Sequence, residues 1–194
     1  MAAIFAAPVA AAPSSATDAI RNANARVREL LSTHTAAGND GADKNAAKIT
    51  HELRDLFDIA DLAKRALVDH WGEMTPAQRT ALVDTLRLIV EKNYIAQLRS
   101  NLKYEIVYQS EEPKGQDVLV TTVIKAERGG RPVEIPVEYL LRAEGGGWRA
   151  YDVITDDVSI LKNYRSQFNR IISKEGVDGL IRRMKAKLDK TNED

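Results

Sequence analysis

Apolar residues recur at helical spacing through the first half of the chain, and this gives way to a two-residue alternation near Tyr104. Ile20, Ala23, Val27, Leu30 and Leu31 predict an amphipathic helix from Thr17 to about Thr35, with Asp18 in its first turn. The segment Ala36–Asp43, AAGNDGAD, reads as a loop by its Gly, Asn and Asp content. A second helix then places Ile49, Leu53, Leu56 and Phe57 on one side. Asp58 is placed to cap a third helix running through Ala63 and Leu67 to Trp71, because its carboxylate can accept from unpaired amides of the first turn. Thr75-Pro76-Ala77-Gln78 fits a capping box with proline at the first helical position. The long helix it opens carries Leu82, Leu86, Ile89, Val90 and Tyr94 and is expected to stop at or just after Asn101.

From Tyr104 the pattern is that of strands. Tyr104, Ile106 and Tyr108 alternate with polar residues, and Pro113-Lys114-Gly115 marks a turn. A second strand, Val118 to Ala126, is apolar on both faces, and Gly129-Gly130 turns into a third. There Val133, Ile135, Val137, Tyr139 and Leu141 share one face, opposite Glu134, Glu138 and Arg142. Gly145-Gly146-Gly147 precedes a fourth strand from Trp148 to Thr155. Ser159 is placed to cap a helix bearing Leu161, Tyr164, Phe168 and Ile171, Gly176 suits its left-handed end, and Asp178 opens a last helix with Leu180, Ile181, Met184 and Leu188. Helices, strands and helices again predict an α+β fold, a curved four-stranded antiparallel sheet packed against several helices. Periodicity leaves open whether the interior is filled by side chains or by a ligand.

A chain of 194 residues suits one domain with a core of its own. Its 28 basic and 28 acidic residues give no overall pull toward nucleic acid or an anionic membrane. Locally, Lys162 to Lys190 holds nine Lys or Arg against three acids, and Glu105 to Asp157 holds eleven acids against six bases. The strand tyrosines Tyr104, Tyr108, Tyr139 and Tyr151 could in principle stack on single-stranded nucleic acid, but they sit in that acidic stretch, which repels a phosphate backbone. The absence of cysteine excludes disulfides and thiolate metal sites. His34, His51 and His70 have no metal-ligand spacing, no GxSxG elbow occurs, and the glycine runs lie between strands instead of opening a helix. No metal, cofactor or catalytic residue is expected. Asp152 is the strand residue to inspect for an enzyme on a cone-shaped α+β scaffold, and an envelope interaction module with a filled core is a further alternative. The uncharged opening, MAAIFAAPVAAAPSSA, reads as a signal-peptide remnant with Ser14 and Ala16 as a small-x-small site before Thr17, or as a disordered tail.

Phe57-Asp58, Ala63, Trp71, Thr75, Gln78 and Tyr94 resemble the helical half of the MlaC family of periplasmic phospholipid-binding proteins, the toluene-tolerance proteins. Tyr151-Asp152-Val153, Val158-Ser159, Asn163-Tyr164-Arg165, Phe168 and Gly176 to Ile181 resemble it more strongly, and the order and spacing extend from Ile20 to Leu188. The chain departs from that pattern at Asp157, where the family usually has glycine before Val-Ser, and within Leu67-Val68-Asp69-His70. The resemblance implies a single lipid-binding domain over residues 17–190, with acyl chains in a hydrophobic cavity between sheet and helices. It also implies a soluble carrier of phospholipid cargo in a Gram-negative periplasm. Its partners would be an inner-membrane ABC transporter complex with a substrate-binding ring subunit and an outer-membrane lipoprotein complex. On that basis the expected lipid-lining residues are Val118, Val120, Ile124, Val133, Ile135, Val137, Tyr139 and Leu141 from the strands, with Phe57, Leu86, Val90, Tyr94 and Phe168 from the helices. Arg165 is expected to meet a lipid phosphate or a nearby acid.

Overall fold

The computed structural model describes residues 15–34, 38–100 and 104–190, so all but the last two residues of the proposed leader, 1–16, and the helix stop at Asn101 lie outside the described residues. Within them the chain forms α1 (Ala16–His34), α2 (Gly38–Leu56), α3 (Ile59–Ala66) and α4 (Pro76–Ser100). The sheet follows as β1 (Tyr104–Lys114), β2 (Asp117–Arg128), β3 (Arg131–Glu144), β4 (Gly147–Thr155) and β5 (Val158–Ser159), and α5 (Ile160–Lys190) closes the chain. All neighbouring strands are antiparallel and the sheet is open, in the order β1-β2-β3-β4-β5. The α+β expectation holds. The count of four strands is corrected to five, because Val158 and Ser159 turn back to pair with Thr155 and Ile154.

Capping chemistry sets several helix starts. Asp58 accepts from the Asp61 amide at 2.8 Å, and the Thr75–Gln78 box is reciprocal, with the Gln78 side chain taking the Thr75 amide at 3.0 Å and the Thr75 hydroxyl taking the Gln78 amide at 3.2 Å. Ser159 takes the Lys162 amide at 3.0 Å. At α1 the capping side chain is Ser15, which accepts from the Asp18 amide at 3.0 Å, and Ala16 is fully buried in the first turn.

Two sequence expectations are corrected. Most of Ala36–Asp43 is helical, since α2 begins at Gly38; Asn and Asp serve a helix start as readily as a loop. The third helix ends at Ala66 and not at Trp71: the His70 and Trp71 amides both bond to the Leu67 carbonyl in a turn. Side chains from other helices take the freed carbonyls there. Arg165 donates to the Arg65 carbonyl, and Arg79 donates twice to Trp71 at 3.0 and 2.7 Å. Arg165 thus serves a helix end, which answers neither the phosphate nor the carboxylate expectation.

The core has three parts. Helices α3, α4 and α5 pack on one another around Leu62, Leu67, Leu82, Leu86, Phe168 and Leu180. The first turns of α1 lie on the sheet, with Ile20 and Ala23 against Val120, Val137, Tyr139, Leu141 and Ala150. The rest of α1 pairs with α2 through Val27, Leu31, Ile49 and Leu53. Phe57 packs against all three.

Phe57 can do so because the α2–α3 joint is stitched to β4. Phe57 bridges to Ala150 in parallel sense, the Asp58 amide donates to the Ala150 carbonyl at 2.8 Å, and Arg149 donates to the Arg54 carbonyl at 2.8 Å. The β3–β4 register skips Tyr151, so Ala150, Tyr151 and Asp152 are all buried where simple alternation would expose one of them. Asp152 then reaches the start of α5, accepting from the Ser159 hydroxyl at 2.6 Å and the Leu161 amide at 2.9 Å. Farther along α2, Arg54 makes a two-pronged bond to the buried carboxylate of Glu91 on α4, at 2.6 and 3.1 Å.

Tyr151 anchors a charged network. Its hydroxyl donates to Asp117 at 2.8 Å, Arg142 donates to the same carboxylate at 2.9 Å, and the Arg65 guanidinium lies 3.8 Å from the Tyr151 ring centre. Burial pushes the Asp117 carboxyl up, but the hydrogen bonds from Arg142 and Tyr151 and the charges of Arg142 and Arg65 outweigh it and hold it below its ordinary value. Burial and the neighbouring carboxylate push the Tyr151 phenol up to about 12.

Of the positions with positive φ, Gly176 and Asp157 contrast. Gly176 breaks α5 at φ 68° and ψ −178°, a region only glycine occupies without strain. Asp157 carries φ 64° in the β4–β5 turn. Gly176→Ala is therefore expected to cost roughly 1–3 kcal/mol in denaturant unfolding, while Asp157→Gly leaves stability unchanged or raises it by up to about 1 kcal/mol. A second expectation concerns acid. Asp117 has a depressed folded pKa, so its contribution is present above the ordinary Asp value of about 3.9 and is lost as pH falls through the lower folded value. Asp117→Asn should lower stability near neutrality by about 1–2 kcal/mol and flatten the decline in Tm below about pH 4. An unchanged acid limb in the variant would contradict this.

Candidate functional site

The inner face of the sheet is a grid fixed by register. Val118, Val120, Thr122, Ile124 and Ala126 of β2 lie opposite Leu141, Tyr139, Val137, Ile135 and Val133 of β3. Tyr108, Ile106 and Tyr104 of β1 lie opposite Thr122, Ile124 and Ala126. The Gln109 position, skipped in the β1–β2 register, shifts the inner row from even- to odd-numbered residues beyond Tyr108, placing Glu111 opposite Val120 and Pro113 opposite Val118.

Burial along this grid is graded. On β3, Leu141 is fully buried, Val137 is 4% exposed and Tyr139 8% exposed, while Ile135 and Val133 are half-buried. Ile124, Ala126, Ile106 and Tyr104 at the same end are also half-buried. Helix α1 therefore seals the end of the sheet near Leu141 and Ala150 and leaves apolar surface partly uncovered toward the β2–β3 turn.

Polar contacts hold α1 antiparallel along β1. The Thr17 amide and hydroxyl donate to Glu111 at 2.8 and 2.6 Å, Asn24 donates to the Tyr108 hydroxyl at 3.2 Å, and Arg28 donates to the Tyr104 carbonyl at 3.0 Å. The guanidinium of Arg21 lies 4.7 Å from the Tyr108 ring centre. Thr122 in the grid donates to the Val137 carbonyl at 2.9 Å, which satisfies the one buried hydroxyl of β2 without interrupting the apolar surface.

The expected lining residues divide between regions. Val118, Val120, Ile124, Ile135, Val137, Tyr139 and Leu141 meet in the sheet cluster, and Val133 continues their row. Phe57 joins them from the α2–α3 joint, and Tyr94 of α4 packs on the α1–α2 cluster. Leu86 and Phe168 are buried in the helical cluster, with Val90 packed against it, and among the described residues it is Phe57 that touches both this cluster and the sheet group. Tyr104, Ile106, Tyr108, Trp148 and Val153 share the inner face without having been singled out as lining. The β1 alternation carried the signal for three of them; Trp148 and Val153 required the bulge.

Burial raises the phenols of Tyr94, Tyr139 and Tyr104 above their ordinary values, neighbouring phenols add to the shift in each, and Arg28 opposes it at Tyr104. Three of the four tyrosines weighed for nucleic-acid stacking, Tyr104, Tyr108 and Tyr139, thus converge under the helices, and Tyr151 is taken by Arg65 and Asp117. Asp152 is occupied as a helix cap. His51 is exposed and lies 3.7 Å from Asp55. Among the described residues no three His, Cys, Asp or Glu groups gather as a metal site, and no helix is long and apolar enough to cross a membrane. A shallow charged depression of about 460 Å³ on α5, bordered by Asp178, Arg182, Lys185 and Asp189, shares no residue with the apolar face.

Comparison with known proteins agrees with this geometry. The structure is similar to that of a phospholipid-binding protein from Ralstonia solanacearum in complex with a phospholipid, with a TM-score of 0.79 at 19% identity, covering 92% of this chain and 99% of that one. The sequence is 22% identical over 139 residues to the intermembrane phospholipid transport system binding protein MlaC of Haemophilus influenzae. That match covers 70% of this chain and spans 64% of the relative's length. The family model of the MlaC protein matches residues 21–186, and the chain therefore belongs to the MlaC family of phospholipid-binding transport proteins.

Proposed function

We propose that this protein is a non-enzymatic periplasmic carrier that takes up a phospholipid with its acyl chains between the sheet and α1, α2 and α4. The observation that carries the reading is the burial gradient on β3, from sealed at Leu141 to half-covered at Ile135 and Val133. A folded protein ordinarily covers such a row with its own side chains. Each methylene transferred from water into an apolar site contributes roughly 0.8 kcal/mol, so two acyl chains are held tightly with few directed contacts. In this reading Tyr104, Ile106, Ile124, Val133 and Ile135 line the cargo, while Leu86 and Phe168 belong to the supporting core.

Membership of the MlaC family supports placing the carrier between membrane complexes. Its docking partners would be an inner-membrane ABC transporter with a ring-forming lipid-binding subunit and an outer-membrane lipoprotein complex. The cargo is the only small molecule the function requires.

Purified protein from envelope-bearing cells is expected to yield close to one phospholipid per chain on solvent extraction and mass spectrometry. Ile135→Glu should cut that occupancy several-fold with little change in Tm, because a half-buried site tolerates a charge that a sealed core does not. Val137→Glu, by contrast, should unfold the domain. Lipid-free wild-type protein, or full occupancy in Ile135→Glu, would overturn the reading.

A further inference from the structure

The half-covered end of the apolar face has a polar rim. Arg28 of α1 lies there, its guanidinium 5.1 Å from the Tyr104 ring centre and one N–H on the Tyr104 carbonyl oxygen. Among the described residues no carboxylate lies within ion-pair distance of it, whereas Arg21 is paired with Asp18 at 2.9 Å and Arg26 with Glu52. A guanidinium has five donors, and this one serves a single neutral residue, Tyr104, through its carbonyl oxygen and its phenol.

A second donor is available nearby. The Tyr139 phenol lies beside Asn24 and Thr122, and the Tyr108 hydroxyl accepts from Asn24. No hydrogen bond of the Tyr94 hydroxyl is found among the described residues, and its ring packs against the cluster that α1 and α2 form. Tyr94 acts electrostatically on Tyr139, Tyr104 and Tyr108, and Tyr104 is the residue on which the Arg28 guanidinium stacks and to which it donates. Burial keeps the Tyr94 phenol protonated, hence a donor, at any physiological pH.

We propose that Arg28, with the Tyr94 hydroxyl, forms a phosphate anchor that binds the phosphodiester of a diacyl phospholipid while its chains lie along Ile124, Val133 and Ile135. The proposal rests on the lipid-carrier reading and adds a headgroup requirement to it. Apolar burial alone retains any lipid of suitable chain volume, including an uncharged diacylglycerol. An arginine–phosphate contact at the mouth makes the phosphate itself part of what is recognised.

The test offers delipidated protein an equimolar mixture of dioleoylphosphatidylglycerol and dioleoylglycerol, with bound lipid quantified by mass spectrometry. Wild type is expected to favour the phospholipid by about tenfold or more. Arg28→Gln should lose most of that preference while taking up dioleoylglycerol as before, Arg28→Lys should keep part of it, and Arg26→Gln should behave as wild type. Tyr94→Phe, which removes only the hydroxyl, should reduce the preference by a smaller factor and provides the reading if Arg28→Gln folds poorly by circular dichroism. Excess inorganic phosphate should leave the bound phospholipid in place. Displacement by phosphate alone would assign the anchor to free phosphate and overturn the proposal. Wild-type preference in both Arg28→Gln and Tyr94→Phe, or equal uptake of the two lipids by wild type, overturns the anchor and leaves the carrier reading intact. Uptake of neither lipid by wild type overturns both.

Discussion

The pairing of Phe57 with Ala150 is the constraint on which the arrangement depends. It joins the end of α2 to the middle of β4, and the two backbone bonds around it fix where α3 must begin. Phe57 is thereby held where the three apolar clusters meet. The bulge at Tyr151 is the other half of the device. It turns Ala150 toward α1 and Asp152 toward α5, so one strand serves helices that do not share a layer. A regular strand could not present three successive buried side chains.

This division lets the molecule keep one firm core and one incomplete one. The α3–α4–α5 cluster closes on itself with Leu67, Leu82, Leu86 and Leu180 fully buried. The sheet instead is covered by α1 through small and medium residues, Ala16, Ile20 and Ala23, and by polar bonds at its margin. Polar bonds at a margin each contribute about 1 kcal/mol, less than a fully buried leucine. The helix over the sheet is accordingly the more weakly held layer, and an apolar cargo between the two completes the burial that the chain begins.

The departure from the family at Asp157 has a local explanation. The position carries φ 64°, where glycine is at ease and aspartate is among the few other residues tolerated. The turn into β5 is preserved, and Ser159 and Asp152 still cap α5. Gly176 retains its glycine where φ 68° with ψ −178° admits nothing else.

Sequence by itself determined the element types, most of the caps and the apolar row of β3, because these depend on residues within a few positions of one another. The Thr75–Gln78 box, the Asp58 cap and the Val133-to-Leu141 alternation are local physics. The helical start at Gly38, the end of α3 at Ala66 and the fifth strand were decided by longer contacts or by residues that suit more than one conformation. The lining set divides by the same rule. Alternation identified which strand residues share a face, but a leucine at helical spacing looks alike whether it faces cargo or another helix. Only tertiary packing sent Leu86 and Phe168 into the helical core, set Tyr94 against the α1–α2 cluster, and left Ile135 and Val133 half-covered, because burial is a property of what lies across a gap and not of the residue's own neighbours in sequence.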